Sequence, residues 1–193
     1  DVSVGTAGLL TSAFAVGMVI GAPVMAAFAR RWPPRLTLIV CLIVFAGSHV
    51  IGAMTPVFSL LLITRVLSAL ANAGFLAVAL STATTLVPAN QKGRALSILL
   101  SGTTIATVVG VPAGALLGTA LGWRTTFWAI AILCIPAAVG VIRGVANNVG
   151  RSATSATSPR LRVELSQLAT PRLILAMALG ALINGGTFAV FTF

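Results

Sequence analysis

The apolar run LLLITRVLSALANAG, residues 60–74, contains a single charged side chain, Arg65. A buried charge is stable only when it is paired or solvated. The sequence has two acidic residues, Asp1 and Glu164, and neither lies within twenty residues of this arginine. We therefore expect no carboxylate of this sequence to reach the guanidinium of Arg65.

The residues that follow Arg65 form a polar stripe at helical spacing. Ser68, Ala69, Asn72 and Ala79 fall on the face of Arg65, while leucine, valine and phenylalanine occupy most other positions. One polar stripe on an apolar helix is typical of a helix that lines a cavity. We interpret Ser68 and Asn72 as cavity-lining candidates and expect the guanidinium to turn toward protein or water. The alternative is that the arginine snorkels to a membrane surface.

Hydrolytic chemistry finds little support in the sequence. Ser48 and His49 are adjacent, so they do not face each other on a helix, and no Gly-x-Ser-x-Gly turn is present. Cys41 and Cys134 lie in separate apolar runs without metal-ligand spacing. We predict no catalytic residue, no metal site and no cofactor, and we retain an intramembrane enzyme as the less favoured alternative. His49 could relay protons, although a hydrogen bond to another helix is the simpler role.

The composition is that of a membrane protein. Hydrophobic residues make up 58% of the chain and charged residues 7%, with a mean hydropathy of +1.09, whereas soluble domains are about a quarter charged. Because backbone groups in lipid must bond to each other, we predict an all-α polytopic helix bundle. The net charge of +10 is spread among hydrophobic runs, so we expect a lipid bilayer and no nucleic acid as the partner. The apolar segments cover approximately residues 7–29, 36–55, 57–87, 95–120, 125–142 and 173–193.

The basic residues predict the orientation of these segments. Ten of the twelve follow the first, third and fifth segments, and cytoplasmic loops attract lysine and arginine. We therefore expect loops 30–35, 88–94 and 143–172 to be cytoplasmic and residue 1 to lie outside an inner (plasma) membrane. Because the sequence starts without methionine and stops inside the apolar FAVFTF, we interpret it as an internal fragment of a longer protein.

Small residues form a ridge along the fourth segment. Steps of four keep them on one helix face, which lets a neighbouring helix approach closely. Pro112 lies within the ridge and removes one backbone donor, so we predict a bend beside Gly110. The alternative is plain helix packing without movement. The ridge consists of Gly102, Ala106, Gly110, Gly114 and Gly118.

The fourth segment, GTTIATVVGVPAGALLG followed by GWRTTF, resembles the glycine–proline antiporter motif in the fifth helix of major facilitator superfamily drug exporters, with Val111 between Gly110 and Pro112. The stretches TAGLLTSAFAVGMVIGAP, ALANAGFLAVAL and GALINGGTF are most similar to the chloramphenicol-resistance branch of the twelve-helix exporters. The resemblance covers the second to the seventh helix and implies a partial major facilitator fold. Residues 1–142 would form an N-terminal half without its first helix, 143–172 a central cytoplasmic loop, and 173–193 the first helix of the C-terminal half.

This resemblance implies a transporter and not an enzyme. The expected function is secondary active export of a small amphipathic drug, chloramphenicol or a related phenicol, in exchange for protons, by a protein that is monomeric at full length. The alternative is a sugar exporter or another multidrug exporter of the superfamily. TRVLSALANAG resembles the fourth-helix motif whose arginine is implicated in proton coupling, which assigns that role to Arg65. Its acidic partner would lie on the family's first helix.

The resemblance also implies further site residues. Asn184 and Phe188 would border the substrate cavity from the seventh helix, and Thr103 could line it or bond to its own helix. Gly110, Pro112, Gly114 and Gly118 would form the conformational hinge. PVMAAFARRWPPRLTL resembles the family's loop between helices two and three, where Arg31 and Arg35 fit basic positions of a cytoplasmic gate. The alternative is that these arginines only set topology and contact anionic lipid.

Overall fold

The computed structural model describes residues 4–29 and 32–146, with the single residue Leu175. Every regular element within these residues is helical, which confirms the predicted all-α class. The helices are α1 (Val4–Ala29), α2 (Pro34–Met54), α3 (Phe58–Thr85), α4 (Lys92–Ile105), α5 (Val111–Leu121) and α6 (Trp123–Gly144).

Helices α4 and α5 belong to one continuous helical span, Ala89–Leu121, of 33 residues. It begins with the 3₁₀ turn Ala89–Gln91 and passes through a π-helical turn at Ala106–Gly110. Pro112 has no N–H to donate to the preceding turn, and such a missing bond is a common cause of a local change in helical winding. The helical winding therefore changes at the residues where the bend is predicted, and the bend itself stays a prediction.

Several of the described helices are long and apolar enough to cross a membrane. By length and composition they are α2, α3, the span Ala89–Leu121 and α6. In α1 an apolar stretch, Gly8–Gly21, is found among the side chains that the structure describes. The predicted segment 173–193 lies outside the described residues.

The helix ends follow from local backbone chemistry. Pro34 occupies the first turn of α2, where a missing N–H costs no helical bond. At the other end, Thr55 is extended, as expected for the residue before Pro56. Gly122 separates α5 from α6 with a φ of 88°, a left-handed conformation that glycine adopts without a steric penalty. Its carbonyl accepts a hydrogen bond from the Thr125 N–H at 3.0 Å.

Helix α3 packs against α1 and α2, α2 also packs against α6, and α5 contacts α6. Small residues allow the α1–α3 crossing to be close. A Cβ added to Gly17 of α1 would lie 2.7 Å from the Cβ of Ala69, which is fully buried in α3. Membrane helices associate through such close contacts because lipid provides no hydrophobic drive between them.

The chain divides into two compact units, Asp1–Ser152 and Ala153–Phe193. All six helices belong to the first unit. The expected domain boundaries stay a prediction: an N-terminal half over residues 1–142, a central loop over 143–172 and the first helix of the C-terminal half over 173–193.

Candidate functional site

Arg65 lies near the start of α3 with its guanidinium turned toward protein. The guanidinium carbon lies 4.2 Å from the centroid of the Phe127 ring in α6. The Nε atom is buried and has no hydrogen-bond partner among the described residues. The two acidic residues of the chain, Asp1 and Glu164, lie outside those residues. The charge therefore rests on an aromatic face while Nε lacks an acceptor.

The ring of Phe127 is held in place by the surface of α2 and by its own helix. A Cβ added to Gly52 would lie 2.8 Å from one ring carbon of Phe127 and 2.9 Å from another. On its own helix, Trp123 packs edge-on against Phe127 with centroids 5.5 Å apart. Because Gly52 has no side chain, the ring can approach the α2 backbone and extend toward α3.

His49 belongs to the same cluster but bonds to its own helix. Its side chain is 2% exposed, and Nδ1 lies 2.8 Å from the carbonyl oxygen of Phe45 one turn earlier. Since a carbonyl only accepts, Nδ1 carries the proton and donates it. The imidazole centroid lies 4.4 Å from that of Phe45 and 5.7 Å from that of Phe127. The bond that the described residues show therefore lies within α2, and the expected bond to a neighbouring helix stays a prediction.

The hydroxyl groups around Arg65 are also bonded locally. Ser68 is completely buried and donates to the carbonyl oxygen of Arg65 at 2.9 Å. Thr64, which faces Gly52 of α2, donates to the carbonyl oxygen of Leu61 at 2.7 Å. The structure therefore places Ser68 inside packed protein, and its proposed contact with substrate stays a prediction.

Asn72 lies at the edge of a cavity of about 210 Å³ between α2, α3 and α6. Its Nδ2 donates to the thioether sulfur of Met18 in α1 at 3.4 Å. The two free and buried cysteines, Cys41 and Cys134, line the same cavity. Most of the lining is apolar, so the cavity offers a small hydrophobic space with one amide at its edge.

Ser68 and Thr103 are not brought to this cavity. Its lining includes neither Ser68 nor Thr103, and Thr103 is exposed on α4. Asn184 and Phe188 lie outside the described residues. Arg65, Ser68 and Asn72 remain neighbours on successive turns of α3, as their spacing predicts.

The small-residue ridge divides into two environments. Gly114 and Gly118 both face Thr126 of α6, at 3.6 Å from an added Cβ. The Thr126 hydroxyl donates to the Gly114 carbonyl at 3.3 Å. An added Cβ at Gly102 or Gly110 would meet nothing within 4 Å. The C-terminal end of the ridge, at Gly114 and Gly118, therefore packs against α6, while Gly110 lies in the π-helical turn.

The remaining predicted positions are the two arginines of the proposed gate loop. Arg35 is half-buried in its first turn, and Arg31 lies outside the described residues. No group of three or more histidine, cysteine or acidic side chains able to hold a metal ion occurs within the described part of the chain.

Two contacts were missed from the sequence, the Phe127 ring beside Arg65 and the tight crossing at Gly17. Phe127 lies near the start of α6 and Arg65 near the start of α3. In the predicted orientation both helices start at the same membrane surface. The similar distance of Arg65 and Phe127 from that surface could therefore have indicated that the two side chains lie close together. Gly17 and Gly21 are four residues apart in GMVIG, a spacing that places both on one face.

Apolar helices long enough to cross a membrane, packed around a half-buried arginine, are typical of an integral membrane protein. The chain belongs to the Major Facilitator Superfamily, whose family model matches residues 1–193. It is therefore a member of a transporter family, and membrane insertion follows from the family and the apolar helices together.

Individual relatives cover the whole chain. It is 61% identical over 193 residues to the chloramphenicol resistance protein of Streptomyces lividans, spanning 100% of this chain and 49% of that protein. It is 33% identical over 195 residues to the uncharacterized MFS-type transporter YtbD of Bacillus subtilis, spanning 100% and 48%. The inner membrane transport protein YdhP of Escherichia coli K12 is 30% identical over 193 residues, with coverage of 100% and 48%. The chain thus spans about half the length of the curated relatives it matches, and the expected similarity to chloramphenicol-resistance proteins is confirmed.

Proposed function

We propose that the full-length protein exports a small amphipathic drug, a phenicol such as chloramphenicol, in exchange for protons. The substrate class is supported by the 61% identity to a chloramphenicol resistance protein. The coupling role is supported by one observation, the half-buried Arg65 guanidinium against Phe127 with an Nε that has no hydrogen-bond partner among the described residues. An acidic group that gains and loses a proton beside this cation would complete the coupling site.

The proposed mechanism uses two helical halves that rock about a site near the middle of the membrane. Deprotonation of the acidic partner would create an ion pair with Arg65, and protonation would remove it. Because the strength of an ion pair in a low-dielectric interior is large, this change can bias one conformation. Drug and proton then occupy the protein alternately, so that proton entry drives drug exit.

The proposed setting is the inner (plasma) membrane, with loops 88–94 and 143–172 in the cytoplasm and the start of α3 near the outer surface. The exposed side chains of Lys92 and Arg94 at the beginning of α4 support this orientation. We expect the full-length transporter to act as a monomer, with drug, protons and lipid as its only partners.

The test is drug transport by the full-length protein with Arg65→Ala and Arg65→Lys. Everted membrane vesicles energised by respiration should take up labelled chloramphenicol, and a proton uncoupler should stop the uptake. We expect Arg65→Ala to reduce this uptake by at least about tenfold, which corresponds to a loss of roughly 1.4 kcal/mol of differential interaction. Arg65→Lys should retain a fraction of the uptake, because the positive charge remains.

The control is Arg124→Ala, which removes a cation that bonds to the Thr55 carbonyl at 3.3 Å near the surface. We expect this variant to insert into the membrane and to transport the drug at nearly the parental rate, because it loses a single hydrogen bond. Uncoupler-sensitive uptake at the parental rate by Arg65→Ala would refute the coupling role. A susceptibility panel of phenicols, other drugs and toxic sugar analogues would separate the phenicol assignment from its alternatives.

A further inference from the structure

The cluster around Arg65 contains an aromatic contact that the coupling proposal does not use. Phe127 reaches from α6 to the guanidinium, with 4.2 Å between the ring centroid and the guanidinium carbon. Arg65 is half-buried, and its Nε has no acceptor among the described residues. Among the described residues, the Phe127 ring therefore supplies the contact for this positive charge.

We propose that Phe127 is a positioning residue for Arg65. Its π-face holds the cation at the junction of α2, α3 and α6 and occupies none of the N–H donors of the guanidinium. An aromatic face attracts a cation through its quadrupole, without a lone pair of the kind that a carbonyl offers. A ring therefore does not compete with a carboxylate for the hydrogen atoms of the guanidinium.

This arrangement has a consequence for proton exchange, which rests on the proposed function. When an acidic partner of Arg65 is protonated, the arginine loses its counter-charge in a medium of low dielectric constant. The Phe127 ring stays in contact in both states, because its attraction requires no ionised acid. The guanidinium then keeps its position between turnovers and does not need to find a new partner.

The ring itself depends on a glycine in α2. A methyl group at position 52 would lie 2.8 and 2.9 Å from two carbons of the Phe127 ring. Both distances are too short for non-bonded carbon atoms, so Gly52→Ala should displace the ring. Gly47 lies on the same helix, and a Cβ added there would meet nothing within 4 Å. Gly47→Ala is therefore a matched control for the change in helix propensity.

The decisive experiment replaces Phe127 by mono-, di- and trifluorophenylalanine in the full-length protein. Fluorine withdraws charge from the ring face at nearly constant shape, which weakens cation–π attraction stepwise. We expect the Tm of the purified protein to fall with each added fluorine when position 65 is arginine. In the Arg65→Met background the same series should leave the Tm unchanged, because the positive charge is absent. This readout does not require transport.

Transport provides the second readout. Along the fluorine series we expect proton-driven chloramphenicol uptake to fall by up to about tenfold, as a cation–π contact of ordinary strength implies. Phe127→Tyr should retain most of the uptake, since it keeps the aromatic face, and Phe127→Leu should lose it. Gly52→Ala should resemble Phe127→Leu, whereas Gly47→Ala should resemble the parent.

The two readouts separate the two proposals. Equal Tm changes in the arginine and methionine backgrounds would overturn the assignment of Phe127, whatever the transport result. A parent protein without phenicol uptake would overturn the proposed function, while an arginine-dependent Tm series would still support the contact. Arginine-dependent Tm changes with undiminished uptake would overturn the role of Phe127 in coupling.

Discussion

Polar side chains within α2 and α3 are mostly satisfied by the carbonyl groups of their own helix. Ser48 donates to the Val44 carbonyl at 2.7 Å, and His49 uses the Phe45 carbonyl in the same way. A short side chain reaches the preceding turn easily, and this bond removes the cost of an unsatisfied donor in an apolar interior. Such residues are compatible with a membrane helix without having a further function.

Arg65 differs from these residues because its charge has no equivalent local solution. An arginine within the apolar core of a membrane is costly on insertion scales, and Arg65 is half-buried near the start of α3. The cation–π contact with Phe127 offsets part of this cost. The functional interpretation of Arg65 is based on this difference.

At the residue scale, a cysteine at position 68 is expected to be protected from water-soluble maleimide. Ser68 is completely buried. In a full-length protein in which Cys41, Cys134 and any further cysteine are replaced by alanine, Ser68→Cys should react only after unfolding. Gln91→Cys, exposed in the 3₁₀ turn that precedes α4, should react in the native protein and is the positive control. Reaction of Ser68→Cys as fast as Gln91→Cys would place Ser68 in a water-filled cavity.

At the scale of the elements, the closest helix crossing is between α1 and α3. Gly17 approaches Ala69, and a Cβ on Gly21 would lie 3.1 Å from the Cα of Leu70. The ridge on the fourth segment is longer in sequence, yet its glycines that contact α6 leave 3.6 Å for an added Cβ. The number of small residues in a stripe therefore does not indicate how closely two helices approach.

Gly17→Val should destabilise the bundle through this crossing. Its Cβ alone would lie 2.7 Å from the Ala69 Cβ and 3.3 Å from the Val66 carbonyl oxygen. Overpacking of this kind costs about 1 to 3 kcal/mol, so we expect a lower Tm. Gly8→Val is the matched control in α1, since an added Cβ at Gly8 meets nothing within 4 Å. An unchanged Tm for Gly17→Val would show that α1 does not pack on α3 as described.

At the scale of the whole molecule, the span Ala89–Leu121 sets the two membrane surfaces. Its 33 residues correspond to a length of about 50 Å, which exceeds an apolar core of about 30 Å. Both ends must then emerge from the hydrocarbon region. Exposed apolar side chains along this span, such as Ile105 and Val108, suit a helix surrounded by lipid or by further helices.

The two ends of this span should react from opposite sides of the membrane. In a full-length background in which every cysteine has been replaced, a membrane-impermeant thiol reagent added to intact cells should label Leu121→Cys and not Gln91→Cys. Everted vesicles should give the reverse pattern, since Lys92 and Arg94 favour the cytoplasmic side. Detergent-permeabilised membranes, in which both sites should react, control for intrinsic reactivity. Labelling of both sites from one side would exclude the proposed orientation.

The sequence by itself determined the class of the protein, the approximate spans and the unusual position of Arg65. Hydropathy, basic residues and helical spacing are properties of consecutive residues, so they can be evaluated without a partner helix. The bend predicted at Pro112 rests on the same kind of local property, because it would result from one missing N–H on its own helix.

Only the tertiary structure decided which side chains meet. Phe127 contacts Arg65 because Gly52 admits its ring between α2 and α6, and Gly17 forms a tight crossing because Ala69 lies opposite. Both contacts depend on the relative rotation and crossing of separate helices, and many rotations satisfy the same apolar pattern. Contacts between side chains determine which rotation each helix adopts. These contacts depend on the surface shapes of all the packed helices, so a single segment of sequence does not specify them.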